Sequence, residues 1–335
     1  HCKKLENVTF PKSLETIGPG AFYLSGIKEA DLSETNVTEI QQRAFHDCHD
    51  LQTVTFSTSL KNIGWGAFDD TAIKEADLSR TSVTEIERIA FFLCKNLKTV
   101  TFPTTLETIG DSAFFLSGIA EADLSNTKVT KIERSTFLQC ANLKNVIFPN
   151  SLKTIGVRAF EETPIKEADL SETSVTKIED KAFHDCEKLK TVIFPKTYFR
   201  LDATTFKSTY IEEFEFTCEY GTGNNGHYIN AICPYITTAF TKITGGKNID
   251  DAFQRCSKTP VFQLESNLTE CTGTAPADVA TPTISPTESQ VMPECSENFI
   301  IPPNITEIPK LHCWQYCMNH DLYAVDLSNT NITKI

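Results

Sequence analysis

Long apolar runs are missing from this 335-residue sequence. None approaches the roughly 18 residues that suggest a membrane span. Clustered Lys and Arg are missing as well. The 31 basic residues are outnumbered by 44 acidic ones, giving a formal charge of −13. Nucleic acid and anionic lipid both need basic clusters, so neither is an expected partner. No GxSxG, HExxH, P-loop or GxGxxG stands in a strand-to-helix context. The seven histidines are scattered. No catalytic activity and no cofactor is therefore expected. What is present, 40% hydrophobic and 22% charged residues, excludes disorder of the whole chain. The length would ordinarily suggest about two domains of roughly 150 residues each. The sequence opens at His1 without an initiator Met or signal peptide, which reads as a mature or excised fragment and says nothing of the full-length protein.

A repeat dominates what remains. Phe22, Phe45, Phe68, Phe91, Phe114, Phe137, Phe160, Phe183 and Phe206 follow one another at intervals of 23 residues without drift. Units of two types alternate, so the full period is 46. The first reads DLSxTxVTxIxxxAFxxC, beginning at Asp31, Asp77, Asp123 and Asp169. The second reads LxxVxFPxxLxxIGxxAFxx[ST], beginning at Leu51, Leu97 and Leu143, with Phe-Ser in place of Phe-Pro in the Leu51 copy. Each unit contains one short strand, such as residues 27–32 or 97–102, whose apolar residues point inward and whose third and fifth positions point out. One such coil cannot bury its own apolar residues. Stacked coils bury Leu, Ile and a Phe column continuously. The expected fold is a leucine-rich-repeat solenoid: a curved parallel β-sheet, one short strand per 23-residue coil, ten strands from Leu5 to Phe216, little helix.

The string LxxVxFPxxLxxIGxxAFxxCxxL resembles the BspA-like leucine-rich repeat found on surface proteins of oral bacteria and parasitic protists. The resemblance is strong over residues 1–216 and weak over 299–335. It implies a secreted or surface-anchored protein that serves adhesion to host matrix or other cells, without catalytic activity. It specifies no ligand.

Four segments are expected along the chain. Residues 1–216 form the solenoid. Residues 217–264 hold a turn-rich insertion around Gly221 to Gly226 and a degenerate capping unit, with Ala252-Phe253 and Cys256 repeating AFxxC and a strand at 262–264. Residues 265–298 are a Thr/Pro/Ser-rich, disulfide-bearing connector. Residues 299–335 resume the repeat. Placing Ile335 before His1 nearly completes one unit, about six residues short by comparison with the interior copies. The sequence is therefore expected to be either one stretch of a tandem array or a cut at a convenient point.

Twelve cysteines fall into two sets. Cys2, Cys48, Cys94, Cys140 and Cys186 recur every 46 residues, and Cys256 holds the same slot. Successive members lie two coils apart, about 9.6 Å at ~4.8 Å per strand. A disulfide needs Cα atoms within about 7 Å, so this column cannot cross-link itself. It is read as small buried hydrophobes alternating with Ser25, Thr71, Ser117, Thr163 and Thr209, not as a metal site. Cys218, Cys233, Cys271, Cys295, Cys313 and Cys317 lie in irregular segments and are candidates for disulfides, paired sequentially, although six cysteines allow 15 connectivities. Sequons at Asn7, Asn36, Asn267, Asn304 and Asn331 agree with secretion. Asn36 and Asn331 share an exposed slot with Ser82, Lys128 and Ser174. Asn304 aligns with Thr105 and Ser151, where the side chain is also suited to bond backbone within the coil.

The outward strand positions are the candidate binding surface. Glu29/Asp31, Glu75/Asp77, Glu121/Asp123, Glu167/Asp169 and Glu213/Glu215 place two carboxylates on every second strand. Three readings stay open: scaffold, since Asp before Leu-Ser is common in leucine-rich repeats and Lys28, Lys74 and Lys166 adjoin the Glu residues; a site for a basic protein; or a divalent-cation site. His46 and His184 share a slot with Leu138 and are read as packing residues. Two functions follow: an extracellular or cell-surface adhesion module for a protein or glycan, or a structural subunit of a coat or filament assembled end to end from copies of itself.

Overall fold

The backbone polar groups of each coil are satisfied mainly by its neighbours, and this sets the architecture. The computed structural model describes residues 2–196, 199–202 and 204–216, together with the strands Lys242–Thr244 and Ala324–Asp326. Among the described residues there is no helix. Coils of 23 residues stack in parallel, each contributing the expected outward-facing strand.

From Asn7–Thr9 to Glu167–Asp169 these strands alternate exposed, buried or half-buried, exposed, as in Glu75–Asp77 and Thr99–Thr101; in Thr191–Phe194 the outward positions are half-buried. Strands of the first type pair in register with the strand that follows: Glu29↔Thr53, Glu75↔Thr99, Glu121↔Asn145 and Glu167↔Thr191. A ladder one residue before the strands joins pair to pair, through Gln52 N–H to Lys28 O (2.9 Å), Lys74 N–H to Gln52 O (3.2 Å) and Lys98 N–H to Lys74 O (2.8 Å). The row continues to Glu213–Phe216 and on to Lys242–Thr244, inside the segment expected to begin as an insertion. At the other end, Ala324–Asp326 pairs with Asn7–Thr9 in the register of an interior coil, Val325 opposite Val8. The expected strand at 262–264 lies outside the described residues.

A second sheet accompanies the first. The stretch that follows each strand, expected only to turn the chain, is itself extended for two residues. Nine such strands, from Thr16–Ile17 to Arg200–Leu201, form one continuous parallel sheet. The first eight present a fully buried Ile to the core, from Ile17 through Ile178, and the ninth a buried Leu201. The DLSxT motif builds the corner between the sheets. Asp31 accepts a bond from Ser33 N–H (3.0 Å), while the Thr35 hydroxyl donates to Leu32 O (2.7 Å). The same pair of bonds recurs from Asp77, Asp123 and Asp169. This is an Asx turn followed by a hydroxyl closing the turn.

The third side is the Ala-Phe segment. Nine Phe rings stack with centroids 5.1 to 5.5 Å apart and planes within 15°. Phe10, Phe56, Phe102 and Phe148, from the FP or FS positions, meet this column edge-on at 82° to 90°. Both arrangements suit the ring quadrupole. Alternate N–H groups of the segment cross to the next coil, as Phe22 N–H to Ala44 O (2.7 Å) and Leu24 N–H to His46 O (3.0 Å). Turning them across requires left-handed backbone, and Leu24, Asp47, Asp70, Leu93 and Leu116 all have φ between 52° and 57°. Such a conformation costs a non-Gly residue roughly 1–2 kcal/mol, offset here by the inter-coil bond. Gly118 is required by contact instead: a Cβ there would stand 2.2 Å from Lys95 O in the preceding coil.

Phe114→Ala is expected to lower unfolding stability by ~3–5 kcal/mol, the usual cost of truncating a buried Phe. Thr99→Ala, on the exposed row, should cost ~0.5 kcal/mol or less. Denaturant unfolding of the two variants checks the assignment, and equal losses would show that inward and outward faces are misassigned.

Candidate interaction surface

Eight of the ten ladder carboxylates are exposed, from Glu29 to Asp169; Glu213 and Glu215 at the end of the row are half-buried. The two members of each pair differ in what they do. The Asp carboxylates at 31, 77, 123 and 169 each accept a backbone bond at 2.9–3.0 Å from the Ser two residues on. Hydrogen bonds from the Ser79 hydroxyl and then its backbone N–H hold Asp77 below the ordinary carboxylate range, with Arg80 adding to them. The Glu residues make no such turn. Glu121 accepts a bond from Asn145 (3.0 Å). Among the described residues, no ion pair is made by Glu29, Glu75 or Glu167. The neighbouring lysines turn along the stack rather than toward them: Lys28 pairs with Glu6 (2.7 Å) and Lys74 donates to Gln52 (2.8 Å). The face is therefore acidic, its Asp half built into the scaffold and its Glu half facing solvent.

The cysteine column is more than hydrophobic packing. Cys48, Cys94, Cys140 and Cys186 are fully buried free thiols. Each donates to a Phe carbonyl, of Phe22, Phe68, Phe114 and Phe160, at 2.9–3.0 Å. Each also lies 3.3–3.4 Å from the hydroxyl of Ser25, Thr71, Ser117 or Thr163 in the preceding coil. Small polar residues alternate with cysteine because the two slots bond one another. Burial pushes all four thiols up to about 12. Cys2, the first member of the column, differs in being disulfide-bonded. The six cysteines from Cys218 to Cys317 lie outside the described residues.

The histidines read as packing residues have polar company. His46 stacks on Tyr23 (5.1 Å, 5°) and sits 3.2 Å from Asp69, whose carboxylate holds the imidazole above its ordinary value. His184 occupies the same slot six coils later, between Glu161 and Asp185. The pattern could have been found in the sequence from the carboxylates flanking that slot. Asn7 and Asn36 are exposed, as are the slot mates Ser82, Lys128 and Ser174. The Thr105 and Ser151 hydroxyls bond Val83 O and Val129 O at 2.7 Å, as expected of their slot. Asn267, Asn304 and Asn331 lie outside the described residues.

Residues 1–82, 78–173, 121–232 and 165–272 match the family model described as BspA type leucine rich repeat region, in six copies. The chain belongs to the BspA-type leucine-rich-repeat family. Among solved structures, it is similar to a leucine-rich repeat protein from Bacteroides ovatus, at 21% identity over 79% of this chain and 73% of that one, with a TM-score of 0.41. It is also similar to the pneumococcal vaccine antigen PcpA (15% identity, 79% and 90%, TM-score 0.35). A third is a leucine rich cell surface protein from Faecalibacterium prausnitzii (19% identity, 69% and 76%, TM-score 0.36). At these identities the likeness concerns the fold. No curated protein matches the chain. BspA-type solenoids typically mediate protein interactions rather than catalysis. Among the described residues, no helix is long and apolar enough to cross a membrane.

With thiols that keep their protons to about pH 12, native protein should resist alkylation at Cys48, Cys94, Cys140 and Cys186 at pH 7 and at pH 9. Unfolding without reductant should release all four as free thiols. The unfolded thiols ionise above their ordinary value of 9.0 while the folded ones stay protonated. Stability should therefore fall as pH rises from about 9 toward 12. Mass spectrometry after alkylation checks the first point; two of these four found joined to each other would refute the coil spacing.

Proposed function

We propose that this BspA-type chain is a non-catalytic interaction module, extracellular or at the cell surface, that uses its acidic outward face to adhere to a basic protein. The observation that carries the reading is the row of exposed Glu29, Glu75, Glu121 and Glu167, repeated every second coil and with no cation closing on any of the four among the described residues. A rigid array of like charges at fixed intervals steers an oppositely charged partner and fixes its register. The family supports the interaction role, and the exposed sequons at Asn7 and Asn36 support the location. End-to-end assembly into a coat or filament is the alternative. Its contacts would fall to the terminal strands Ala324–Asp326 and Lys242–Thr244, which pair on one side only among the described residues.

Replacing Glu75, Glu121 and Glu167 by Lys tests the face without touching the Asp turns. Exposed charges contribute only ~0–1 kcal/mol to stability, so the melting temperature should barely move. Wild-type protein should bind an oligolysine peptide with an affinity that falls between low and physiological salt, and the triple variant should lose that binding at least tenfold. Undiminished binding by the variant would make the face scaffold. Sedimentation velocity of the wild type should show a single small species; long concentration-dependent oligomers would favour the filament.

A further inference from the structure

On the corner formed by the Ala-Phe segments, two adjacent coils bring Glu161, His184 and Asp185 together. Glu161 Oε1 lies 3.1 Å and Asp185 Oδ2 3.0 Å from the same imidazole nitrogen, His184 Nδ1. The three ligand atoms all fall within 4.8 Å of one another. The Glu161 and His184 side chains are only 8% and 13% exposed. Nδ1 is screened from solvent and has no hydrogen-bond partner, because neither carboxylate oxygen stands where a ring N–H would point. Nδ1 thus keeps its in-plane axis unused, with a carboxylate oxygen on either partner close beside it.

We propose that Glu161, His184 and Asp185 form a binding site for a first-row divalent cation of the zinc type. Two ligands about 2.1 Å from one ion stand about 3.0 Å apart at a right angle and about 3.4 Å apart at the tetrahedral angle, and the 3.0 and 3.1 Å found lie at the short end of that range. One imidazole nitrogen with two carboxylate oxygens suits a borderline cation such as Zn²⁺ better than Ca²⁺, which takes six to eight oxygens. Three protein ligands leave the remaining coordination positions open.

The backbone holds the ligands in place before any ion arrives. Asp185 has φ 55°, and its N–H is bonded to Lys207 O at 2.9 Å. His184 N–H bonds Lys181 O (3.1 Å), and Glu161 N–H bonds Arg158 O (3.3 Å). Arg158 Nε meets the other Glu161 oxygen, Oε2, at 3.4 Å, leaving Oε1 for the ion. The Cys186 thiol beneath is committed to Phe160 O and Thr163, so it is not a ligand. The corresponding corner at His46 is the internal control. There Asp69 faces Nδ1 (3.2 Å) while Asp47 faces Nε2 (3.5 Å), so the two carboxylates do not converge on one nitrogen.

The test is Zn²⁺ titration of the full chain by calorimetry, comparing wild type with His184→Leu, Glu161→Gln and His46→Leu. Leu occupies the His184 slot naturally as Leu138, half-buried in a coil of the same type. His184→Leu should bind one Zn²⁺ fewer than wild type, and Glu161→Gln should weaken that site at least tenfold. His46→Leu should bind as wild type does. Zn²⁺ should also raise the melting temperature of wild type more than that of His184→Leu. Equal stoichiometry in wild type and His184→Leu, or equal loss in His46→Leu, overturns the proposal. Should a variant not fold, wild-type crystals grown with Zn²⁺ decide the matter. An anomalous peak within about 2.3 Å of His184 Nδ1 supports the site, and peaks elsewhere only would refute it.

Discussion

Parallel stacking obliges each coil to offer its neighbour the same hydrogen-bonding groups at the same height, and nearly everything in the structure follows from that constraint. A strand of two or three residues is too short to hold itself together. Here strands of that size persist because the coils above and below satisfy their polar groups. The same requirement bends the Ala-Phe segment into left-handed backbone at Leu24, Asp47, Asp70, Leu93 and Leu116, since only then do alternate N–H groups reach the next coil. The Phe column fills the space so enclosed, ring above ring at 5.1 to 5.5 Å.

Once the repeat fixes the inside, function is confined to the positions it leaves outside. On the long face those positions are shared between structure and binding. The Asp residues are spent on Asx turns, whereas the Glu residues two places earlier face solvent. On the Ala-Phe corner, the residue after Phe varies from coil to coil: Tyr23, His46, Asp69, Phe92, Phe115, Leu138, Glu161, His184. A column with a varying slot lets adjacent coils assemble chemistry that neither holds alone, which is how Glu161 meets His184 and Asp185.

Much of this was legible in the sequence. The 23-residue spacing of Phe22 to Phe206 gave the stack, and the alternation around Thr99 or Glu121 gave the outward face. Thr105 and Ser151, which share a slot with Asn304 in the repeat, bond backbone in the preceding coil. Other features were hidden for identifiable reasons. The second sheet is made of two-residue strands, such as Thr154–Ile155, too short to show a period of their own. The thiol-to-carbonyl bonds of Cys48 to Cys186 link residues 26 apart, through a turn whose shape no local pattern announces. Apart from Gly20 and Gly66, the left-handed positions carry residues such as Leu24, Asp47, Ile89 and Ser112, so residue type gave little warning.

The sequence by itself determined the coil, its period and the division into buried and exposed residues, because a strict repeat of apolar side chains permits one way of stacking. Only the tertiary structure decided which polar side chains are engaged. Whether Asp31 closes a turn while Glu29 does not depends on backbone direction at the corner. Why Glu161 and Asp185 share one nitrogen while Asp69 and Asp47 divide two depends on side-chain placement between coils. The first recurs with the motif in every copy, whereas the second rests on side chains that differ from coil to coil, about which a repeat motif carries no information.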